Sequence, residues 1–168
     1  MIQYNESYRN GTAGTKDGGG FDLDGGVTNS VMQYNYSHDN DGAGYLLAEF
    51  NGARPSSGNV VRYNVSQNDG RKNGYAGIHA FGPITSADVY NNTVYISPSQ
   101  ANQAGATNEA PAAVKFRDGS TKNIRLFNNV FIVSTDGASS GTISPRMVVT
   151  GGASGFTFLD NDYWNTDG

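Results

Sequence analysis

The sequence predicts an all-β solenoid, a parallel β-helix of about five to six turns, because two motifs recur along it about every 30 residues. The first is a short apolar or aromatic run ending on asparagine: Ile2-Gln3-Tyr4-Asn5, Val31-Met32-Gln33-Tyr34-Asn35, Val60-Val61-Arg62-Tyr63-Asn64, Val89-Tyr90-Asn91-Asn92, Leu126-Phe127-Asn128-Asn129 and Phe158-Leu159-Asp160-Asn161. The aligned asparagines, Asn5, Asn35, Asn64, Asn92, Asn129 and Asn161, are spaced by 30, 29, 28, 37 and 32 residues. Between them falls the second motif, as Gly20-Phe21-Asp22-Leu23-Asp24, Gly44-Tyr45-Leu46-Leu47-Ala48-Glu49-Phe50, Gly77-Ile78-His79-Ala80-Phe81, Ala113-Val114-Lys115-Phe116-Arg117 and Met147-Val148-Val149-Thr150. The first, third and fourth copies alternate apolar and polar residues, the period of a half-buried strand. Two or three strands per turn, each paired with its equivalent one turn later, give parallel sheets with neighbours about 4.8 Å apart.

The asparagine column is expected at a bend between sheets. Asparagine tolerates the left-handed backbone that a sharp bend demands, and stacked amides can bond to the copies above and below. Asn-x-Ser/Thr at Asn5, Asn10, Asn35, Asn64 and Asn91 also has the form of a glycosylation sequon. An inward-pointing structural ladder is the reading that the repeat supports.

Composition fits a thin-cored, turn-rich repeat: 23 glycines, 10 tyrosines, no cysteine and 36% hydrophobic residues. The segments 51–59, 97–111 and 135–145 are rich in Gly, Pro and Ser and lack helical periodicity, so they are expected to be surface loops and helix content to be near zero. A net charge of −4 argues against nucleic acid as a partner. No apolar run reaches the ~18 residues of a membrane-spanning helix, so membrane insertion is not expected. The chain opens inside a repeat at Ile2 and stops after Tyr163-Trp164, without a capping segment. It is therefore expected to be one stretch of a longer β-helix, with open sheet edges that favour end-to-end self-association.

Asp-Gly turns precede the second motif at Asp17-Gly18, Asp41-Gly42 and Asp69-Gly70. Turn chemistry accounts for them, since Asp bonds nearby backbone and Gly supplies positive φ. Oxygen ligands for Ca²⁺ are the functional alternative. Asp39-Asn40-Asp41-Gly42 matches only the start of an EF-hand loop and lacks its terminal glutamate.

With their V-x-Y-N-x-S units and the Gly18-Gly19-Gly20-Phe21-Asp22-Leu23-Asp24-Gly25-Gly26 segment, these repeats resemble the right-handed parallel β-helices of the pectate-lyase-like superfamily, over nearly the whole chain. The resemblance implies a groove along one exposed sheet, a polysaccharide partner of acidic type and an extracellular or cell-surface location. It does not choose between lyases, hydrolases, epimerases, tailspikes and adhesins. The adjacent aspartates and Gly-His-Gly of polygalacturonases are missing, as is the Arg-x-Pro-x-x-Arg of pectate lyases.

The candidate site follows from strand alternation. With Phe21, Ile78 and Val114 inward, the outward face presents Asp22 and Asp24, then Leu47 and Glu49, then His79 and Phe81, then Lys115 and Arg117. The second copy has an alternative register with Tyr45 and Leu47 inward. Lys115 or His79 is the expected base, Arg117 the carboxylate clamp, and Asp22 and Asp24 the Ca²⁺ ligands, for β-elimination or a related proton abstraction on a uronate-containing glycan. Glu49, Phe81, Arg71 and Lys72 are the expected substrate contacts. Tyr45, Tyr75, Phe81 and Tyr95 could stack on sugar rings where exposed. A solvated face of complementary charges, on a non-catalytic β-helix segment, is the rival reading.

Overall fold

Three parallel sheets wind around one core in a solenoid of about five turns, as the repeat predicts. The computed structural model describes residues 1–12, 16–100, 109–117, 120–152 and 154–166, and no helix occurs among them. The first sheet stacks β1 (Ile2–Gln3), β4 (Val31–Gln33), β7 (Val60–Arg62), β10 (Thr85–Tyr90), β14 (Lys122–Phe127) and β18 (Phe156–Leu159). The second stacks β2 (Glu6–Tyr8), β5 (Tyr36–His38), β8 (Val65–Gln67), β11 (Thr93–Ile96), β15 (Val130–Val133) and β19 (Asp162–Asn165). The third stacks β3 (Phe21–Leu23), β6 (Tyr45–Ala48), β9 (Ala76–Phe81), β13 (Ala112–Phe116) and β17 (Arg146–Val149). Two excursions expected to be plain loops meet instead: β12 (Ser99–Gln100) pairs antiparallel with β16 (Thr142–Ile143). Residues 101–108 of the first excursion lie outside the described residues.

Register places like on like. In the first sheet Met32, Val61, Val89, Leu126 and Phe158 are successive partners. The first four are buried, forming an aliphatic column through the core. In the third sheet Phe21, Tyr45, Ile78, Val114 and Val148 do the same. Tyr45 is the largest fully buried side chain, and its hydroxyl proton is shared between the carbonyls of Asn35 and Val65 at 2.8 and 3.0 Å. That satisfaction fixes the register of β6: Tyr45 and Leu47 point inward, and Leu46 outward.

The asparagine ladder is continuous. Each Nδ2 donates to the Oδ1 of the next copy, at 3.1, 3.1, 3.0, 2.9 and 2.8 Å from Asn5 to Asn161. The same Oδ1 also accepts the backbone N–H of the preceding copy. The left-handed residue, however, is the one before each asparagine: Tyr4, Tyr34, Tyr63, Asn91, Asn128 and Asp160, with φ between 50 and 60°. The bend turns on that residue, and the ladder asparagine satisfies the backbone groups the bend frees.

A second ladder, Asn10–Asn40–Asp69, occupies the next corner, again after left-handed Arg9, Asp39 and Asn68. Asp69 closes it by accepting from Asn40 Nδ2 at 2.7 Å and from the Ser66 hydroxyl at 2.6 Å. Burial pushes its carboxyl up to about 6, against the hydrogen bonds that favour the anion. Gly44 is required beside it, because a Cβ there would sit 2.5 Å from both Asp69 Oδ2 and Ser66 Oγ.

Asn92→Ala should destabilise the protein by about 2–4 kcal/mol, since it strips the acceptor from two buried donors of Asn64. Asn5→Ala, at the exposed end, should cost well under half of that. Chemical denaturation of the two variants checks the difference; equal losses would mean that the ladder is ornamental.

Candidate active site on the third sheet

Outside the third sheet, one row of partners runs Asp22, Leu46, His79, Lys115 and Val149. The row beside it includes Ala48 and Phe81, paired across β6 and β9, followed on the next turn by Arg117. Three segments fold over these rows: residues 16–20 after the first turn, Asn73–Tyr75 before β9, and Glu109 before β13. Together they line two adjoining cavities. One, of about 210 Å³, is bounded by Lys16, Asn73, Tyr75, His79, Glu109, Lys115 and Arg117. The other, of about 290 Å³, shares Lys16, Tyr75, His79 and Arg117 and adds Asp17, Asp24 and Phe81.

His79 lines both cavities. The sequence places it on the outward face, but the overlying segments cover it to 2% exposure. Neither ring nitrogen has a hydrogen-bond partner among the described residues. Tyr75 tilts against the imidazole, with ring centroids 5.0 Å apart. Burial first, then the charges of Lys115 and Arg117, hold its pKa down to about 3, so the ring is neutral at physiological pH. A buried, neutral imidazole with two unsatisfied nitrogens is a costly thing to maintain for packing alone.

Its neighbours are set for anions. Lys115 Nζ donates to the Gly74 carbonyl at 2.7 Å and to Glu109 at 2.9 Å, which fixes the ammonium beside the cavity. The guanidinium of Arg117 stacks 4.6 Å over the Phe81 ring, a cation–π contact that leaves its N–H edge unblocked. Tyr75 accepts the Asp17 N–H at 3.1 Å, leaving its own proton free to donate. Tyr75 is offered by the sequence only as a ring to stack on a sugar, not as a proton donor. It precedes β9 without belonging to the alternating pattern, and only the fold brings it over His79.

At the first-turn end the cleft turns acidic. Asp22 counts as exposed by surface area, while neighbouring atoms crowd one side of its carboxyl. That crowding, with Asp24 and Asp17 nearby, pushes its pKa up to about 7. Asp24 accepts the N–H of Gly25 at 2.7 Å. Among the described residues no group of three or more His, Asp or Glu side chains converges as a ligand set.

Three expected contacts fall elsewhere. Glu49 does not neighbour His79; Leu46 does. With Tyr45 and Leu47 inward, Glu49 passes the end of β6, is buried, and accepts the Ser56 N–H at 2.8 Å. Arg71 donates to the carbonyls of Ser97 and Pro98 at 3.1 and 2.6 Å, pinning the start of the long excursion. Lys72 pairs with Asp41 at 2.9 Å. Both hold corner loops and line neither cavity.

Elsewhere on the surface, Tyr4, Tyr34 and Tyr63 are exposed and stacked, with centroids 5.3 and 5.2 Å apart. Tyr34 is sandwiched between the other two rings, so it offers only its edges to a sugar. A cavity outside the first sheet, of about 240 Å³, is intermediate in size between the two cavities that His79 lines. Its charges, Arg125 and Asp88, are already joined by two 2.7 Å hydrogen bonds. On the third sheet, by contrast, buried His79 lies with Lys115 and Arg117 around one cavity.

A β-helix with a loop-covered, charge-lined cleft on one sheet is the class these features define. Among solved structures, the chain is similar to the crystal structure of a double mutant of the periplasmic alginate epimerase AlgG. The two share 18% identity with a TM-score of 0.53, over 98% of this chain and 39% of that one. At that identity the likeness extends to the fold. No family model matches the chain, and no curated protein matches it in sequence.

The chain has two histidines, and they should titrate in opposite directions. His38 lies between Asp39 and Glu6, at 2.9 and 3.2 Å, and these carboxylates raise its pKa above 6.5. Its stabilisation is present below pH 6.5 and fades as pH rises through the raised value. His79, depressed, favours the fold above pH 6.5 and loses that contribution as pH falls toward about 3. NMR titration of ring protons, assigned with His38→Asn and His79→Asn, should show one elevated midpoint and one ring silent down to about pH 4. A normal midpoint for His79 would contradict its enclosure.

Proposed function

We propose that this chain is a carbohydrate-active β-helix that binds an acidic, uronate-containing polysaccharide in the third-sheet cleft and removes the proton α to a uronate carboxylate. The observation that carries this reading is His79, buried, neutral and unpartnered, between two cations and a tyrosine. A C–H next to a carboxylate is a weak acid until the carboxylate's charge is compensated. Arg117 would grip the carboxylate through its N–H edge, with Lys115 beside it. That contact offsets the two charges that add to burial in depressing His79, so substrate arrival would move the imidazole part of the way back toward its ordinary basicity.

Once the C5 proton moves to a His79 nitrogen, the carbanion has two fates. In β-elimination its electron pair forms the C4–C5 double bond, the C4–O4 bond breaks, and the leaving oxygen takes the Tyr75 proton. In epimerisation a proton returns to C5 from the opposite face and no bond is cut. The similar solved structure belongs to an alginate epimerase, which supports a uronate substrate and admits the second outcome. Asp22 and Asp24 would contribute oxygen ligands to a Ca²⁺ ion, and an extracellular, cell-surface or periplasmic location belongs to the same proposal.

Incubation with a panel of acidic polysaccharides, with Ca²⁺ and then chelator, tests this through unsaturated-uronate absorbance and NMR of C5 configuration. Wild type should give one of the two signals. His79→Asn should lower turnover by about 10²–10⁴-fold while remaining folded. Arg117→Ala should lower kcat/KM by about 10²-fold. A folded wild type inert on every uronate, or variants as active as wild type, would shift the assignment to a non-catalytic, tailspike-like β-helix.

A further inference from the structure

The His79 cavity does not end at Lys115. A further cavity of about 320 Å³ continues past it over β13 and β17, lined by Glu109, Ala110, Lys115, Arg146 and Val149. Lys115 therefore stands in the wall between two compartments and serves both. Arg146 opens β17, paired with Ala112, while Lys115 pairs with Val149. That register puts the two cations one strand apart and about 10 Å apart along the strand direction. Unlike Lys115, the Arg146 side chain is exposed and carries no hydrogen bond or ion pair among the described residues.

Charge is segregated along the groove. Lys115, Arg117 and Arg146 outnumber Glu109 on its later turns, whereas Asp17, Asp22 and Asp24 outnumber Lys16 at its first. A polyanion leaving the His79 compartment meets repulsion in one direction and attraction in the other.

We infer that the compartment between β13 and β17 is a second carboxylate subsite, in which Arg146 holds a neighbouring uronate. The glycan then runs from His79 toward β17 and away from the acidic first turn. This rests on the uronate reading above and adds to it a direction and a specificity residue. Glu109 occupies Lys115 in the free protein. Arg146, unengaged, is the group that gives the subsite its affinity.

Binding of saturated oligouronates, a dimer and a hexamer, is measured by calorimetry on His79→Asn protein so that ligand is not consumed. Adding Arg146→Ala should weaken hexamer binding about tenfold, the worth of one charged hydrogen bond, and leave the dimer almost unchanged. Arg146→Lys should recover part of the loss, and Arg125→Ala, outside the first sheet, should change neither. An Arg146→Ala protein that binds the hexamer as tightly as its parent would overturn the subsite alone. So would equal losses for both lengths. A parent that binds neither oligomer would overturn the uronate reading itself, and the subsite with it.

Discussion

Everything in this structure depends on satisfying backbone groups at the corners of the coil. A solenoid must turn sharply between sheets, and each left-handed residue at a turn removes its neighbours from the ladder of strand hydrogen bonds. The asparagine following it returns the missing partners. Its Oδ1 accepts two donors from the preceding turn, and its Nδ2 donates to a strand carbonyl and to the next asparagine. One residue type repeated at one corner therefore does three things. It closes the bend, fixes the vertical register of successive turns, and buries its own amide without cost in unmatched groups.

Register is what converts that scaffold into a site. Because each strand lies over its equivalent, an outward residue on one turn is the neighbour of an outward residue on the next. His79 and Lys115 meet for that reason, although 36 residues separate them in sequence. The covering segments come from three different turns and reach the same place because the insertions sit at the same corner of the coil. The resulting cleft removes water from one imidazole and surrounds it with cations, a tyrosine proton and, farther along, carboxylates. Burial first, and then the charges of Lys115 and Arg117, keep that imidazole neutral.

Much of this was legible in the sequence, and the exceptions have physical reasons. Recurrence of aromatic-Asn segments gave the sheets and the ladder because the spacing of the motif is the circumference of the coil. The left-handed role was assigned to the ladder asparagine rather than to the residue before it. Tyr at that position in the first three turns is disfavoured as a left-handed residue by intrinsic preference, and the rings of Tyr4, Tyr34 and Tyr63 stack in one column. Leu46-Leu47 defeated the alternation rule at the second copy, since either leucine suits the core. The hydroxyl of Tyr45, finding two carbonyls inside, decided the register and sent Glu49 into a turn. The outward placement of His79, Lys115 and Arg117 was legible from alternation alone. The burial of His79 was not, because strand patterns carry no information about which loops fold back over them.

The central claim is that His79 takes a proton from the carbon beside a uronate carboxylate. Solvent isotope incorporation tests it most directly, because it does not depend on whether elimination or epimerisation follows. Polyuronate would be incubated with the protein in D₂O and examined by NMR and mass spectrometry for loss of the C5 proton. The account predicts exchange or loss of that proton with wild type and none above background with His79→Asn. Retention of C5–H by a folded wild type that nonetheless binds the polysaccharide would contradict it, leaving the cleft a binding groove without chemistry.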